Sequence, residues 1–153
     1  MQPVRQERRS IATRDEAEGF LASFSRTMGE LEEVLLHETR EIEAGRIRSG
    51  LSQEERKSAL AAGYLRGLEH ARANAIAIAR FAPEAASRLK DAHHGFRAAL
   101  EHNQQVLATA RAVSEGLVKG VAEEMARQAR PSGYGVVPPA RPATGPLVYS
   151  GRF

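Results

Sequence analysis

Between residues 83 and 130 the chain carries one unbroken apolar seam with steps of three and four. It runs Leu89, His93, Phe96, Leu100, Asn103, Leu107, Ala110, Ser114, Leu117, Val121 and Met125. Steps of that size keep side chains on one face of an α-helix and leave the opposite face to solvent. At 1.5 Å of rise per residue the segment spans roughly 70 Å. The two helical segments before it are shorter. An antiparallel bundle of all three therefore leaves the last turns of the third helix with apolar residues that nothing in the chain covers. Such a stripe marks a place for a partner.

The rest of the sequence agrees with an all-α reading. Ala, Leu, Glu and Arg abound, and these residues lose least in a helix. Aromatic residues are scarce and Trp is absent, so the core must be thin, as in a bundle seam. Helix one is expected over 13–48, opened by the capping-box spacing of Thr13 and Glu16. Its seam is Leu21, Phe24, Met28, Leu31, Leu35 and Ile42, and it weakens at Gly45. A second capping box, Ser52 to Glu55, places helix two at 52–81. Its stripe is Ala61, Tyr64, Leu68, Ala71, Ala75 and Ile78, flanked by Leu60, Leu65 and Ile76, and its small residues allow close approach. Pro83 suits a first helical position and disfavours helix before it, so a turn separates helix two from helix three at 84–130. The domain layout is then a flexible basic stretch at 1–12, a helical bundle or coiled coil at 13–130, and a tail at 131–153. That tail holds five of the seven prolines and reads as disordered.

Several function classes are disfavoured. Cysteine is absent, which removes disulfides, thiolate metal sites and thiol nucleophiles. No run approaches the roughly 20 apolar residues of a membrane span, and residues 1–14 lack the apolar run of a secretory signal. A cytoplasmic location is the expectation. The net charge is +3, but the basic excess sits at the two ends and forms no contiguous stripe with stacking aromatics, which argues against nucleic acid. Carboxylate metal bundles need an acid-x-x-His motif twice. Asp91 and His94 supply it once, so His93 reads as half-buried beside an exposed His94. Phosphate loops and nucleophile elbows are also missing, and no enzyme activity or cofactor is expected.

Other residues of these helices bear on packing or on a partner. Gly116 and Gly120 lie inside helix three at a cost of about 1 kcal/mol each against Ala; they are either tolerated or permit close approach by a partner. Asn103 and Ser114 interrupt the seam, either as register-fixing polar residues do or to face a polar group of a partner. Glu38 and Lys57 read as rim residues with solvated heads, the alternative being an ion pair between helices one and two.

Leu35-Leu36-His37-Glu38-Thr39 followed by Glu43-Ala44-Gly45-Arg46 resembles the leucine pair, glutamate and helix exit of FlgN-type flagellar export chaperones. Lys57 and Tyr64 are similar to the lysine and following tyrosine of that family. The run from Asn103 through Ala110 to Gly116 resembles the third-helix core of its alphaproteobacterial branch, and Tyr134-Gly135 resembles that branch's tail. The resemblance implies a small, cytoplasmic, all-helical chaperone of type III export. It further implies hook-associated (hook–filament junction) proteins as clients, taken up by the C-terminal helix, and delivery to the export apparatus. The implied partner-binding residues are Val113, Gly116, Leu117, Val118, Val121 and Met125. Self-association of the same stripe in a structural coiled coil is the alternative.

Overall fold

The computed structural model describes residues 10–130, and the expectations for residues 1–9 and for the tail at 131–153 lie outside them. Among the described residues all regular structure is helical: α1 (Arg14–Glu43), α2 (Ile47–Gly50), a 3-10 turn (Leu51–Gln53), α3 (Glu54–Ala73), α4 (Ala75–Phe81) and α5 (Pro83–Ala129). No helix among them is long and apolar enough to cross a membrane. The chain divides into two compact units, residues 1–116 and 117–153.

In the first unit, α1 opens with the expected capping box. The Thr13 hydroxyl accepts from the Glu16 amide, while the Glu16 carboxylate accepts from the Thr13 amide at 3.1 Å. Helix one ends earlier than residue 48. Gly45 takes φ 77°, a conformation that costs glycine nothing. Its amide bonds the Ile42 carbonyl and that of Arg46 bonds Glu41, the paired closure of a Schellman end. The Arg46 guanidinium also grips the Glu41 carboxylate with two bonds of 2.7 Å. Hydrogen bonds from Arg46 and Ser49 hold that carboxyl down at about 2.

The second capping box does not form. Residues 47–50 wind into a helical turn of their own, and the Ser52 hydroxyl donates to the Ser49 carbonyl at 2.6 Å instead of capping a following amide. Helix two thus starts at Glu54. It is also divided, because Asn74 leaves the helix at φ −114°, ψ 18°. Its side-chain amide donates to the His70 carbonyl at 3.0 Å, and its side-chain oxygen accepts from the Ile11 amide at 2.9 Å. Short amide side chains compete with the helix ladder in this way. Ile11 is buried as a result, so the expected flexible stretch at 1–12 does not extend through residue 11. The turn before Pro83 is present: Ala82 sits at φ −142°, ψ 56°, outside the helical region.

The core seam of α1 is as expected, with Leu21, Phe24, Met28, Leu31, Leu35 and Ile42 all buried. Toward one end Leu21 packs with Ile11, Ile78 and Ala82; toward the other Met28, Leu31 and Leu35 surround Phe96. Between them an aromatic series crosses the helices, with ring centroids 5.7 Å apart for Phe24 and Tyr64 and 4.9 Å for Tyr64 and Phe96. On helix two the expected stripe is only partly correct. Ala75 is exposed and Ile76 is 87 % exposed, because the break at Asn74 turns that position and Ile78 inward.

Glycine sets how closely α3 approaches α1. A methyl group at Gly63 would lie 3.3 Å from the Thr27 side chain, and one at Gly67 would overlap the Phe24 ring. Overpacking of this kind costs about 1–3 kcal/mol, while Ala gains back about 1 kcal/mol of helix propensity. Gly67→Ala should therefore lower the midpoint of urea unfolding, whereas Gly95→Ala, whose methyl meets open space, should raise it.

Candidate partner-binding site

Three helices of the first unit meet at the Glu38 side chain. This residue is only 2 % exposed, and a buried carboxylate is costly unless it is fully paired. The Lys57 ammonium reaches it from α3, with Nζ 2.9 and 3.2 Å from the two carboxylate oxygens. Asn103 reaches it from α5, its amide nitrogen 2.9 Å from Oε2. The same nitrogen lies 3.1 Å from Thr39 Oγ1 and 3.3 Å from the Leu35 carbonyl, so its two hydrogens serve three acceptors. Lys57 bonds Glu54 as well, at 2.7 Å. The solvated rim expected for Glu38 and Lys57 is thus incorrect. Glu38 occupies a seam position one turn beyond Leu35, and the chain supplies partners rather than an exit to water. Burial works against the Lys57 ammonium, but the bonds to Glu54 and Glu38 outweigh it and raise its pKa.

Asn103 on the seam accordingly has a register-fixing arrangement, while Ser114 is exposed. His93 is half-buried and His94 exposed. The His93 ring lies 2.6 Å from the Tyr64 hydroxyl through Nε2. Among the described residues no group of three or more His, Asp or Glu side chains is placed to hold a metal.

The residues implied as partner-binding are all on α5 and all open to solvent. In the first unit Val113 is 56 % exposed and Gly116 faces open space. In the second unit Leu117, Val118, Val121 and Met125 are between 59 % and 68 % exposed. Leu117, Val121 and Met125 follow one another at steps of four, and Val118 precedes Val121 by three, which keeps the four side chains on one side of the helix. Among the described residues, no atom beyond the helix itself lies within 4 Å of a methyl group placed on Gly116 or Gly120. Neither position has a positive φ, so nothing among the described residues requires glycine there. The charges of the second unit pair locally, Lys119 with Glu123 and Arg127 with Glu124.

One feature of the first unit was not foreseen. Leu65 is 58 % exposed, and it borders a cleft of about 350 Å³ whose other wall includes Leu100 and Leu107. Both lie on the seam of the third helix and are partly buried, Leu100 against the Met28, Leu31, Leu35 and Phe96 cluster. The signal that points to the cleft is the predominance of small residues on helix two, which cannot fill the space beside a helix carrying large ones. Comparison with family models, with curated proteins and with solved structures returned no match.

Removing one member of a buried ion pair costs roughly 3–5 kcal/mol, while replacing both by apolar residues is far milder. Glu38→Leu should therefore destabilise the protein more than Glu38→Leu combined with Lys57→Met. Because the Lys57 pKa is raised in the fold, its contribution is complete below about 10.5 and is lost as pH rises through the folded value. Urea unfolding from pH 8 to 12 checks both points: the wild type should lose stability at the alkaline end more steeply than the double variant.

Proposed function

We propose that this chain is a FlgN-type export chaperone. On this reading it is a cytoplasmic, non-enzymatic protein that holds hook–filament junction proteins before secretion and presents them to the export apparatus. The observation that carries the proposal is the row of exposed apolar side chains at Leu117, Val118, Val121 and Met125, on a helix whose glycines face open space. The pairings of Ile11 with Asn74 and of Glu38 with Lys57 and Asn103 support the antiparallel three-helix arrangement expected for such a chaperone.

The chemistry of the row suits a helical client. Apolar residues at i, i+4 and i+8 of one helix take up the apolar face of another, and glycine lets the two backbones approach closely. Burying four such side chains contributes roughly 6–12 kcal/mol gross, of which the costs of association and ordering remove a large part. The net result is a reversible grip, as a carrier that must release its client requires. A self-associating coiled coil would use the same row, with a second copy in place of the client.

Two sets of variants test the proposal against that alternative. Because Leu117 and Val121 are well exposed, Leu117→Ser with Val121→Ser should leave the far-ultraviolet circular dichroism of the full chain intact. The pair should abolish co-purification with a hook–filament junction protein, and light scattering should give a monomer with or without the substitutions. Gly116→Ala with Gly120→Ala should stabilise the helix by up to about 2 kcal/mol yet weaken the client complex. Retained binding in the serine variant, or a concentration-dependent dimer that the serines dissolve, would exclude the chaperone assignment of this site.

A further inference from the structure

Another cleft opens where the chain enters the first unit. It measures about 440 Å³ and is lined by Ser10 and Ile11 together with residues around the α3–α4 break, among them Arg72, Asn74, Ile76 and Arg80. Two contacts fix the chain there. The Ile11 amide donates to Asn74 Oδ1 at 2.9 Å, and the Ile11 side chain is buried in a cluster with Leu21, Ile78 and Ala82. Ser10, one residue earlier, is exposed. It is therefore held at the cleft while open to solvent.

The charge of this cleft has one sign. Both charged residues that line it are arginines, Arg72 from the end of α3 and Arg80 from α4. Arg80 lies over the Phe81 ring, its guanidinium 5.5 Å from the centroid. Neither guanidinium has an ion-pair or hydrogen-bond partner among the described residues. Two cationic forks with free N–H donors and no carboxylate between them suit a doubly charged oxyanion, because a guanidinium matches phosphoryl oxygens two at a time.

Ser10 can carry such a group itself. Glu7, Arg8 and Arg9 precede it and Ile11 follows, and kinases select substrates by charge patterns. Releasing the segment to a kinase breaks one hydrogen bond and undocks one side chain, a local opening that is small beside global unfolding. We propose that Ser10 is a phosphorylation site whose phosphoryl group is received by Arg72 and Arg80. A protein kinase transfers the group from a nucleoside triphosphate. The bond from Ser10 Oγ to phosphorus forms as the bond to the nucleoside diphosphate breaks, and the hydroxyl proton passes to a base of the kinase. Phosphoserine carries a charge of about −1.5 to −2 and three acceptor oxygens. Bonded to both guanidiniums, it ties the entry of α1 to both sides of the α3–α4 break and locks Ile11 in place. This inference does not rest on the chaperone reading.

The test places phosphoserine at position 10 of the full chain by codon reassignment, in the wild type and in Arg72→Gln with Arg80→Gln. In a phosphorus NMR titration the second ionisation of the wild-type phosphoserine should fall from its ordinary value of about 6 to about 5, and the glutamine background should raise it again. The modification should raise the midpoint of urea unfolding in the wild type and leave it unchanged in the glutamine background. Any cost of the substitutions themselves cancels in that comparison. Inorganic phosphate added to the unmodified chain should not reproduce the gain. A protein kinase that selects basic sequences, supplied with magnesium and ATP, should label the unmodified wild type at Ser10, as read by tandem mass spectrometry. The same ionisation in both backgrounds, an equal gain in both or from inorganic phosphate, or no label at Ser10 would each overturn the proposal.

Discussion

The Glu38 carboxylate governs how the first unit is put together. A charge that is 2 % exposed is tolerated only if its lone pairs are satisfied, and its partners come from two other helices: the Lys57 ammonium of α3 and the Asn103 amide of α5. Sliding either helix by one turn would move its partner about 5 Å away and leave the carboxylate buried and bare. The surrounding Leu, Met and Phe contacts tolerate such a slide far better, because apolar packing is not directional. The polar cluster therefore selects one register out of several that the seam alone would allow, as a single buried polar residue does in coiled coils. Breaking one partnership costs more than the pair is worth, which ties the three helices together as a unit.

That dependence accounts for much of the arrangement around it. Gly50 sits against the Ile42 side chain and the Glu38 carbonyl, Gly63 against Thr27 and Gly67 against Phe24. Each removes a methyl group where α1 must be approached closely. On the α5 side the fit is made by large groups, Phe96 and Leu89, with Tyr64 and His93 joined by a hydrogen bond of 2.6 Å. A close α1–α3 contact on one side and bulky spacers on the other leave the cleft between α3 and α5.

The seams of α1 and α5 were legible because long 3-4 periodicities survive any local irregularity. Phe96 and Asn103, the two buried residues of α5, both lie on the seam read from the sequence, and the start of α1 at Thr13 followed from its capping box. The features that escaped were tertiary in origin. Ser52 had the spacing of a cap, but the Schellman closure at Gly45 let residues 47–50 wind up first. Asn74 looked like one more helical residue, because its role depends on Ile11, 63 positions earlier. Glu38 and Lys57 are compatible with both a solvated rim and a buried pair, and only the approach of Asn103 decides between them. For the candidate site, the exposed row was visible as a mismatch of helix lengths, whereas the cleft required knowing which small residues face which large ones.

On the proposed function, the end of α5 is a helix face kept for a helical client. Amide hydrogen exchange of the full chain, read by mass spectrometry with and without a hook–filament junction protein, tests this most directly. Slowed exchange concentrated in residues 113–129 on adding the client is the predicted result. Unchanged exchange there, with or without slowing elsewhere in the chain, would contradict it.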